Sequence, residues 1–413
     1  MIKIKIRFLG GCDGIGKSAV LLDNTVLDYG LQTSNKDPFP VKADCDHAII
    51  SHGHLDHCGA VPALKGVSDI YMTAPTGDFM RILTEDTIRL NEKWKNRMIY
   101  SMEDLTMAMA KIRNVSYEEP FFVGDQRCTL TNAGHIVGSS SILVEGDIDL
   151  FYSSDVNMID TKMAEGAKDF PRADVGIVES TYFGTNHSPR EELEEKFADS
   201  VKETVEKRGN VIIPCFAINR TQEILIMLEE KGISPFLDGM GVEATKIILS
   251  HPEFAKDPSA LKKAFDNAIL VNRKNRRDVF SEPSVIVTTA GMMNGGPVIN
   301  YLKKIYKDPK SKLILTGYQV EGTNGRMVLE KGLVRLNKDI VKIENDVEQY
   351  DFSSHSGDKE LKEMVKDLSD KGATLFFTIH GEREKNEAFS AWIKEEIGCE
   401  ANAPNTGDTY AIS

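Results

Sequence analysis

Ser51-His52-Gly53-His54-Leu55-Asp56-His57 follows directly on the apolar run Ala48-Ile49-Ile50, and its reading decides the fold. Three histidines and an aspartate fall within six positions, although only nine histidines serve all 413 residues. A buried strand that ends in a loop of imidazoles and a carboxylate presents borderline-soft ligands to a transition metal, most often zinc. The His-x-His step puts two imidazoles on the same side of an extended backbone. The Asp-His pair that follows turns back toward a second ion. Structural zinc sites are usually built from cysteines with every position closed. This stretch has a carboxylate and no cysteine, so it reads as open and catalytic.

Upstream, Met1-Ile2-Lys3-Ile4-Lys5-Ile6-Arg7-Phe8 alternates apolar and basic residues. That is a strand with one buried face, not the continuous apolar block of a signal peptide. Residues 11–18 read G-x-x-x-x-G-K-S, a formal phosphate-loop match. A phosphate loop must open a helix. The sequel here is Ala19-Val20-Leu21-Leu22, Asp23-Asn24, then Thr25-Val26-Leu27, which is a hairpin signal. The glycines are therefore assigned a turn beside the floor of the site. Asp28 ends the hairpin. It either caps the strand or stands behind the site, holding a ligand imidazole or a loop amide.

Downstream, residues 60–64 read as a short helix and 70–72 as a strand, and residues from about 77 to 112 carry helical spacing of apolar positions. Strands follow at Phe121-Phe122-Val123, Cys128-Thr129-Leu130, Ser141-Ile142-Leu143-Val144 and Asp149-Leu150-Phe151-Tyr152. Two further ligand candidates, His135 in a glycine-flanked loop and Asp155 at a strand end, join the series. Val175-Gly176-Ile177-Val178 is a buried strand ending in the acid Glu179.

From 189 the pattern changes to charged helices alternating with short apolar strands, the rhythm of a parallel α/β sheet. A second domain is placed at 184–348, inserted between a first part, 1–183, and a last part, 349–413. Its two glycine loops are Ala290-Gly291-Met292-Met293-Asn294-Gly295-Gly296-Pro297 and Gly317-Tyr318-Gln319-Val320-Glu321-Gly322-Thr323-Asn324-Gly325-Arg326. They serve either as left-handed turns or as places where a backbone approaches a ligand closely. Arg273, Lys274, Arg276 and Arg277 form the densest basic cluster, which is either a solvated loop or part of a phosphate track. The chain then returns to histidines, His355 before a helix and His380 at a strand end, so that six of nine histidines follow strands in glycine- or serine-rich loops.

The net charge of −13 argues against a uniformly basic surface but leaves room for a local cationic groove. Six scattered cysteines without a Cys-x-x-Cys pair suggest reduced thiols and a cytoplasmic setting. No apolar run approaches the roughly 20 residues of a membrane span, so no membrane partner is expected.

Together these residues resemble the metallo-β-lactamase superfamily and, within it, the β-CASP ribonucleases. The His-x-His-x-Asp-His loop is shared across the superfamily. The acid in Glu179-Ser180-Thr181-Tyr182, the His of Ser354-His355-Ser356 and the His of Ile379-His380-Gly381 mark the β-CASP branch. The 317–326 stretch and Pro214-Cys215-Phe216-Ala217-Ile218-Asn219-Arg220 are similar to those of the cleavage and polyadenylation factor group, in the short archaeal, RNase J-like form without KH domains. The resemblance implies an α/β fold, a metallo-β-lactamase αββα sandwich with an inserted β-CASP domain whose parallel sheet is flanked by helices. It implies two zinc ions, one held by His52, His54 and His135, the other by Asp56, His57 and His380, with Asp155 bridging. The implied activity is hydrolysis of RNA phosphodiester bonds, endonucleolytic or 5′-to-3′ exonucleolytic.

In that chemistry a hydroxide shared by two ions attacks the phosphorus in line, with Asp56 among the catalytic ligands. His355 stabilises the phosphorane charge or protonates the leaving 3′-oxygen, and Glu179 orients it. Single-stranded RNA is the expected partner, contacted through the 273–277 cluster and Arg326. Homodimers and RNA-processing or transcription complexes are the expected assemblies. Two other classes use the same metal loop: a small-molecule metallo-hydrolase of thioesterase or lactamase type, and an RNA-binding processing subunit without cleavage. The inserted domain and His355 have no explanation in the first, and the intact ligand set disfavours the second.

Overall fold

The computed structural model describes residues 4–32, 37–94, 100–272 and 274–413. Met1, Ile2 and Lys3 of the expected first strand, and Arg273 of the basic cluster, lie outside the described residues. The chain divides into two compact units, one made of 1–160, 164–186 and 354–413, the other of 161–163 and 187–353. The sequence places these boundaries at 184 and 348.

The first unit stacks two seven-stranded sheets. One runs in the order Thr409–Ile412, Ile4–Gly10, Ala19–Leu22, Thr25–Leu27, His47–Ile49, Asp69–Met72, Ile112–Asn114. The other runs Glu400–Asn402, Leu375–Ile379, Val175–Glu179, Leu150–Tyr152, Ser140–Glu145, Gln126–Asn132, Phe121–Val123. Alternation in Ile4–Gly10 sends Ile4, Ile6 and Phe8 inward and leaves Lys5 exposed. Ile6, Phe8, Leu27 and Ile49 of the first sheet pack against Leu130, Ile142, Ile177 and Phe377 of the second. Ala48 faces the other way, to a layer with Val61, Met80 and Ala108, which is why this strand reads as a continuous apolar run. On the far side, Leu361, Met364 and Phe389 cover Phe151, Val178 and Phe376. The layer order is therefore αββα.

Two expectations are corrected in detail. Ile112 is not helical: helices occupy Ala74–Trp94 and Met102–Met109, and Ile112 pairs in parallel with Ile70 at the edge of the first sheet. Sheet pairing there overrides a 3.6-residue spacing. Residues 60–64 give only the single 3₁₀ turn Val61–Ala63. The formal phosphate loop runs straight into the strand Ala19–Leu22 and opens no helix.

The second unit carries a parallel sheet in the order Ile269–Leu270, Phe236–Asp238, Val285–Thr288, Val211–Pro214, Lys312–Leu315, Asp346–Gln349. Val298, Tyr301, Leu302 and Val328, from the helices Val298–Ile305 and Asn324–Lys331, cover Ile212, Ile286 and Leu313 on one face. Among the described residues no helix is long and apolar enough to cross a membrane.

Polarity places the site. Leu150–Tyr152, Val175–Glu179 and Leu375–Ile379 are mutually parallel, as are Thr25–Leu27 and His47–Ile49. Their carboxyl ends carry Asp155, Glu179, His380, Asp28 and the histidine loop. Open sheets bind ligands at such edges. Asp28, Ser154 and His380 turn the chain off their strands in the left-handed region, with φ of 56°, 52° and 57°. Each such turn at a residue other than glycine costs about 1–2 kcal/mol.

Candidate metal centre

Ten residues expected from the sequence meet in the first unit. His52, His54, His135 and Asp155 offer ligand atoms within 4.8 Å of one another, as do Asp56, His57 and His380. His54 Nδ1 lies 3.2 Å from His52 Nε2 and 3.1 Å from His135 Nε2. Asp155 Oδ2 is 3.7 Å from each of those two Nε2 atoms. Ligands at 2.0–2.1 Å around a tetrahedral ion stand about 3.3 Å apart, so the spacing suits one ion. In the second group His57 Nε2 and His380 Nε2 are 3.1 Å apart, and Asp56 Oδ2 is 3.6 Å from His380 Nε2. Asp155 Oδ1 lies 3.2 Å from His57 Nε2, so one carboxylate reaches both groups.

The tautomers follow from the partners behind the rings. His57 Nδ1–H donates to Asp28 Oδ2 at 2.7 Å, and His135 Nδ1–H donates to the Ser354 carbonyl at 2.7 Å. Ser51 spends its hydroxyl proton on Asp28 Oδ2, so at 3.0 Å its Oγ accepts from His52 Nδ1–H. Thr181 spends its own on the His380 carbonyl and accepts from His380 Nδ1–H at 3.2 Å. All four imidazoles therefore turn an Nε2 lone pair inward. Two lone pairs facing each other across 3.1 Å repel unless a cation, proton or metal, stands with them.

The electrostatics agree. Burial, reinforced by neighbouring imidazoles, holds His52 and His135 well below the ordinary histidine range, and His54 is lowered for the same reason. Neutral imidazole is the ligand form. Burial pushes His57 down too, but Asp155 and Asp28 outweigh it and raise the ring. Burial pushes Asp155 up, yet His380, His57 and His355 hold it well below the usual carboxylate range. Its Oδ1 is buried without a hydrogen-bond donor. A buried anionic oxygen with imidazole nitrogens of His380 and His57 at 3.0 and 3.2 Å and no aligned donor suits a cation, so the donor set fits a metal.

Glu179 is 1% exposed and accepts from the Val156 and Thr181 amides at 2.8 and 3.2 Å. His355 Nδ1 lies 3.0 and 3.3 Å from its two oxygens. Asp155, Glu179 and His355 also fall within ligand distance of one another. Because the His355 Nδ1 proton is committed to Glu179, this third group is an ion pair beside the metal groups and not a further ligand set. His355 Nε2 faces Asp155 Oδ2 at 3.9 Å. Burial pushes His355 down, but Glu179 and Asp155 lift it to about 9.

Sequence reasoning missed the groups that fix these rings: Ser51, Ser154, Tyr152 and Thr181. Their only signal is a position beside a ligand at a strand end. Of the expected RNA contacts, Lys274 and Arg277 are exposed. Arg276, also exposed, holds Asp238 through bonds of 3.1 and 3.0 Å, and Arg326 Nε bonds Glu330 at 2.6 Å.

Residues 20–202 match the beta-lactamase superfamily domain, 221–328 the Beta-Casp domain, and 340–404 the Zn-dependent metallo-hydrolase RNA specificity domain. The chain is 32% identical to the probable RNase MJ4 of Methanocaldococcus jannaschii, over 99% of this chain and 100% of that protein. It is 34% identical to RNase aCSPSF2 of Saccharolobus solfataricus, over 98% of this chain and 85% of that one. With the transcription termination factor FttA of Thermococcus kodakarensis it shares 32% identity, over 99% of this chain and 71% of the factor. A crystal structure of a protein of unknown function from Enterococcus faecalis superposes with a TM-score of 0.63 at 14% identity, covering 99% of this chain and 100% of that one. That likeness speaks to the fold alone.

Proposed function

The chain belongs to the β-CASP family of metallo-β-lactamase-fold hydrolases, and on that premise we propose that it is a zinc-dependent ribonuclease cutting single-stranded RNA. Its setting is RNA processing, decay or transcription termination, as the names of its relatives suggest. His52, His54 and His135 would hold one ion, and Asp56, His57 and His380 a second. Asp155 reaches both. When bound, such ions supply an activated water and positive charge for a phosphoryl group in transfer.

The protein does the rest. Asp28, Ser51, Thr181 and the Ser354 carbonyl keep the four rings in the ligand tautomer. Glu179 holds the Nδ1–H of His355 and turns Nε2 toward the site. A protonated Nε2 gives its proton to the departing 3′-oxygen, leaving a 5′-phosphate and a 3′-hydroxyl. All six cysteines are free thiols, which supports a reducing, cytoplasmic setting.

The convergence on Asp155 of the inward Nε2 atoms of His52, His57 and His135, with His380 Nε2 facing His57 Nε2 at 3.1 Å, supports this reading. Labelled RNA incubated with and without chelator tests it. Cleavage that chelator abolishes supports a metal ribonuclease; binding without cleavage points to a silent subunit; no effect on RNA points to a small-molecule hydrolase. Mapping product ends on 5′-monophosphate and 5′-triphosphate RNA separates endonuclease from 5′-exonuclease action. His355→Ala is expected to keep its metal content while turnover falls by 10²-fold or more, the usual worth of a general acid. Cleavage at the wild-type rate would remove His355 from the mechanism.

A further inference from the structure

The glycine loops of the second unit take no part in this chemistry. One follows Val285–Thr288; the other leaves the carboxyl end of Lys312–Leu315, next to the loop that leaves the adjacent parallel strand Val211–Pro214. Cys215 Sγ lies 3.7 Å from Thr316 Oγ1, so these last two loops start side by side. The next large side chains on each are aromatic and uncovered: Phe216 is 42% exposed and Tyr318 is 44% exposed. Gly291, at the end of the neighbouring strand Val285–Thr288, packs so closely on Phe216 that a Cβ there would stand 3.0 Å from its amide nitrogen and 3.4 Å from its ring.

The glycines point the same way. Gly296 and Gly322 have φ of +77° and +79°, so their turns require glycine. Gly295 and Gly317 do not adopt that conformation, and a Cβ on either would meet nothing within 4 Å. The fold gains nothing from glycine at these two positions, which costs backbone entropy. Bare backbone beside bare aromatic rings suits a flat ligand that approaches from outside. Arg326 stands within electrostatic reach of Tyr318, with its guanidinium paired to Glu330.

We infer that Phe216 and Tyr318 form a stacking platform for unpaired bases of single-stranded RNA, with Gly295 and Gly317 left bare so that the nucleotide backbone passes close. This rests on the ribonuclease reading and adds to it a base-binding surface on the second unit. A chain of net charge −13 gains little from long-range attraction to phosphate. Stacking on aromatic faces is tolerant of sequence and is not lost with salt in the same way.

The test uses the full chain, chelator to stop cleavage, and a short single-stranded RNA carrying 2-aminopurine. Wild type is expected to quench the fluorophore on binding. Phe216→Leu and Tyr318→Ala are each expected to weaken binding about tenfold or more, the worth of one stacked base, with the slope of affinity against salt unchanged. Tyr318→Phe should bind as wild type does. Gly317→Ala should keep the melting temperature and lose affinity. Wild-type affinity in the Phe216→Leu/Tyr318→Ala double variant, with wild-type cleavage intact, would overturn the platform and leave the ribonuclease reading standing. Equal losses in Tyr318→Phe and Tyr318→Ala would replace stacking by a hydroxyl contact and overturn it also. Failure of the wild type both to bind and to cut RNA would take down the platform together with the reading beneath it.

Discussion

Asp28 has no exposed surface, yet its carboxylate receives four donors. The Ser51 amide reaches Oδ1 at 2.7 Å, while the Ser51 hydroxyl, His57 Nδ1–H and Tyr152 hydroxyl reach Oδ2 at 2.8, 2.7 and 2.8 Å. An isosteric amide can accept on one oxygen only. Asp28→Asn therefore sets an NH₂ against protons already pointing at it, and the least costly relief is for His57 to change tautomer and turn an N–H toward the metal groups. Metal affinity is expected to fall 10- to 100-fold, as for other residues that orient a ligand from behind. Stability should fall by about 1–3 kcal/mol, the cost of a buried donor without an acceptor. Competition against a chromophoric chelator, with a melting curve alongside, reads both. Wild-type affinity in a folded Asn variant would mean that Asp28 only shapes the strand end.

Strand ends deliver these side chains, and backbone contacts between elements hold them in register. The amides of Ser18, Tyr29 and Leu31 bond the carbonyls of Asp56, His57 and Leu55 at 2.8, 2.8 and 2.7 Å, which clamps the short helix Leu55–Cys58 onto the end of the hairpin. Gly30 permits this approach: a Cβ there would stand 1.6 Å from the Asp56 carbonyl oxygen. Gly30→Ala is expected to cost about 1–3 kcal/mol by overpacking and to lose metal from the Asp56–His57–His380 group. Gly66→Ala, whose nearest neighbour would be the Cys45 carbonyl oxygen at 4.0 Å, serves as the neutral control. A Gly30→Ala protein with wild-type stability and metal content would contradict the clamp. The same scale explains what could be read from the chain alone. Imidazoles and acids after apolar runs announce themselves, so His52, His135, Asp155, Glu179, His355 and His380 were visible as a series. Alternation in Ile4–Gly10 showed a strand with one buried face, whereas the two-sheet sandwich was legible only through the family resemblance. Thr181, Ser154 and Tyr152 were not visible, because a hydroxyl at a strand end has the same appearance whether it meets water or an imidazole. Ile112 was misread because a three-residue strand takes its identity from its neighbour Asp69–Met72 and not from its own spacing.

Across the whole molecule, the ligand residues belong to the first unit but come from distant parts of the chain. His57 and His380 stand 323 positions apart. The histidine loop hangs from one sheet of the sandwich, while His135, Asp155 and His380 hang from the other. An ion held by both, as proposed, would cross-link the two sheets at one edge. Binding only the folded arrangement, it would stabilise by mass action, about 4 kcal/mol when free ion exceeds its dissociation constant a thousandfold. Chelation removes that contribution and leaves inward lone pairs and the Asp155 oxygen facing one another. The strands beneath keep their own packing around Phe8, Ile142 and Phe377, so loss should concentrate at the edge and not spread through the core. Hydrogen exchange of the chelated protein is expected to speed up in 51–58, 134–139, 153–157 and 379–381. Val211–Pro214, Val285–Thr288 and Lys312–Leu315 in the second unit should keep their protection, since no ligand comes from them. Unchanged exchange at all four edge segments, with metal shown to be gone, would mean that these residues hold their places without a cation and that the inward tautomers have another cause.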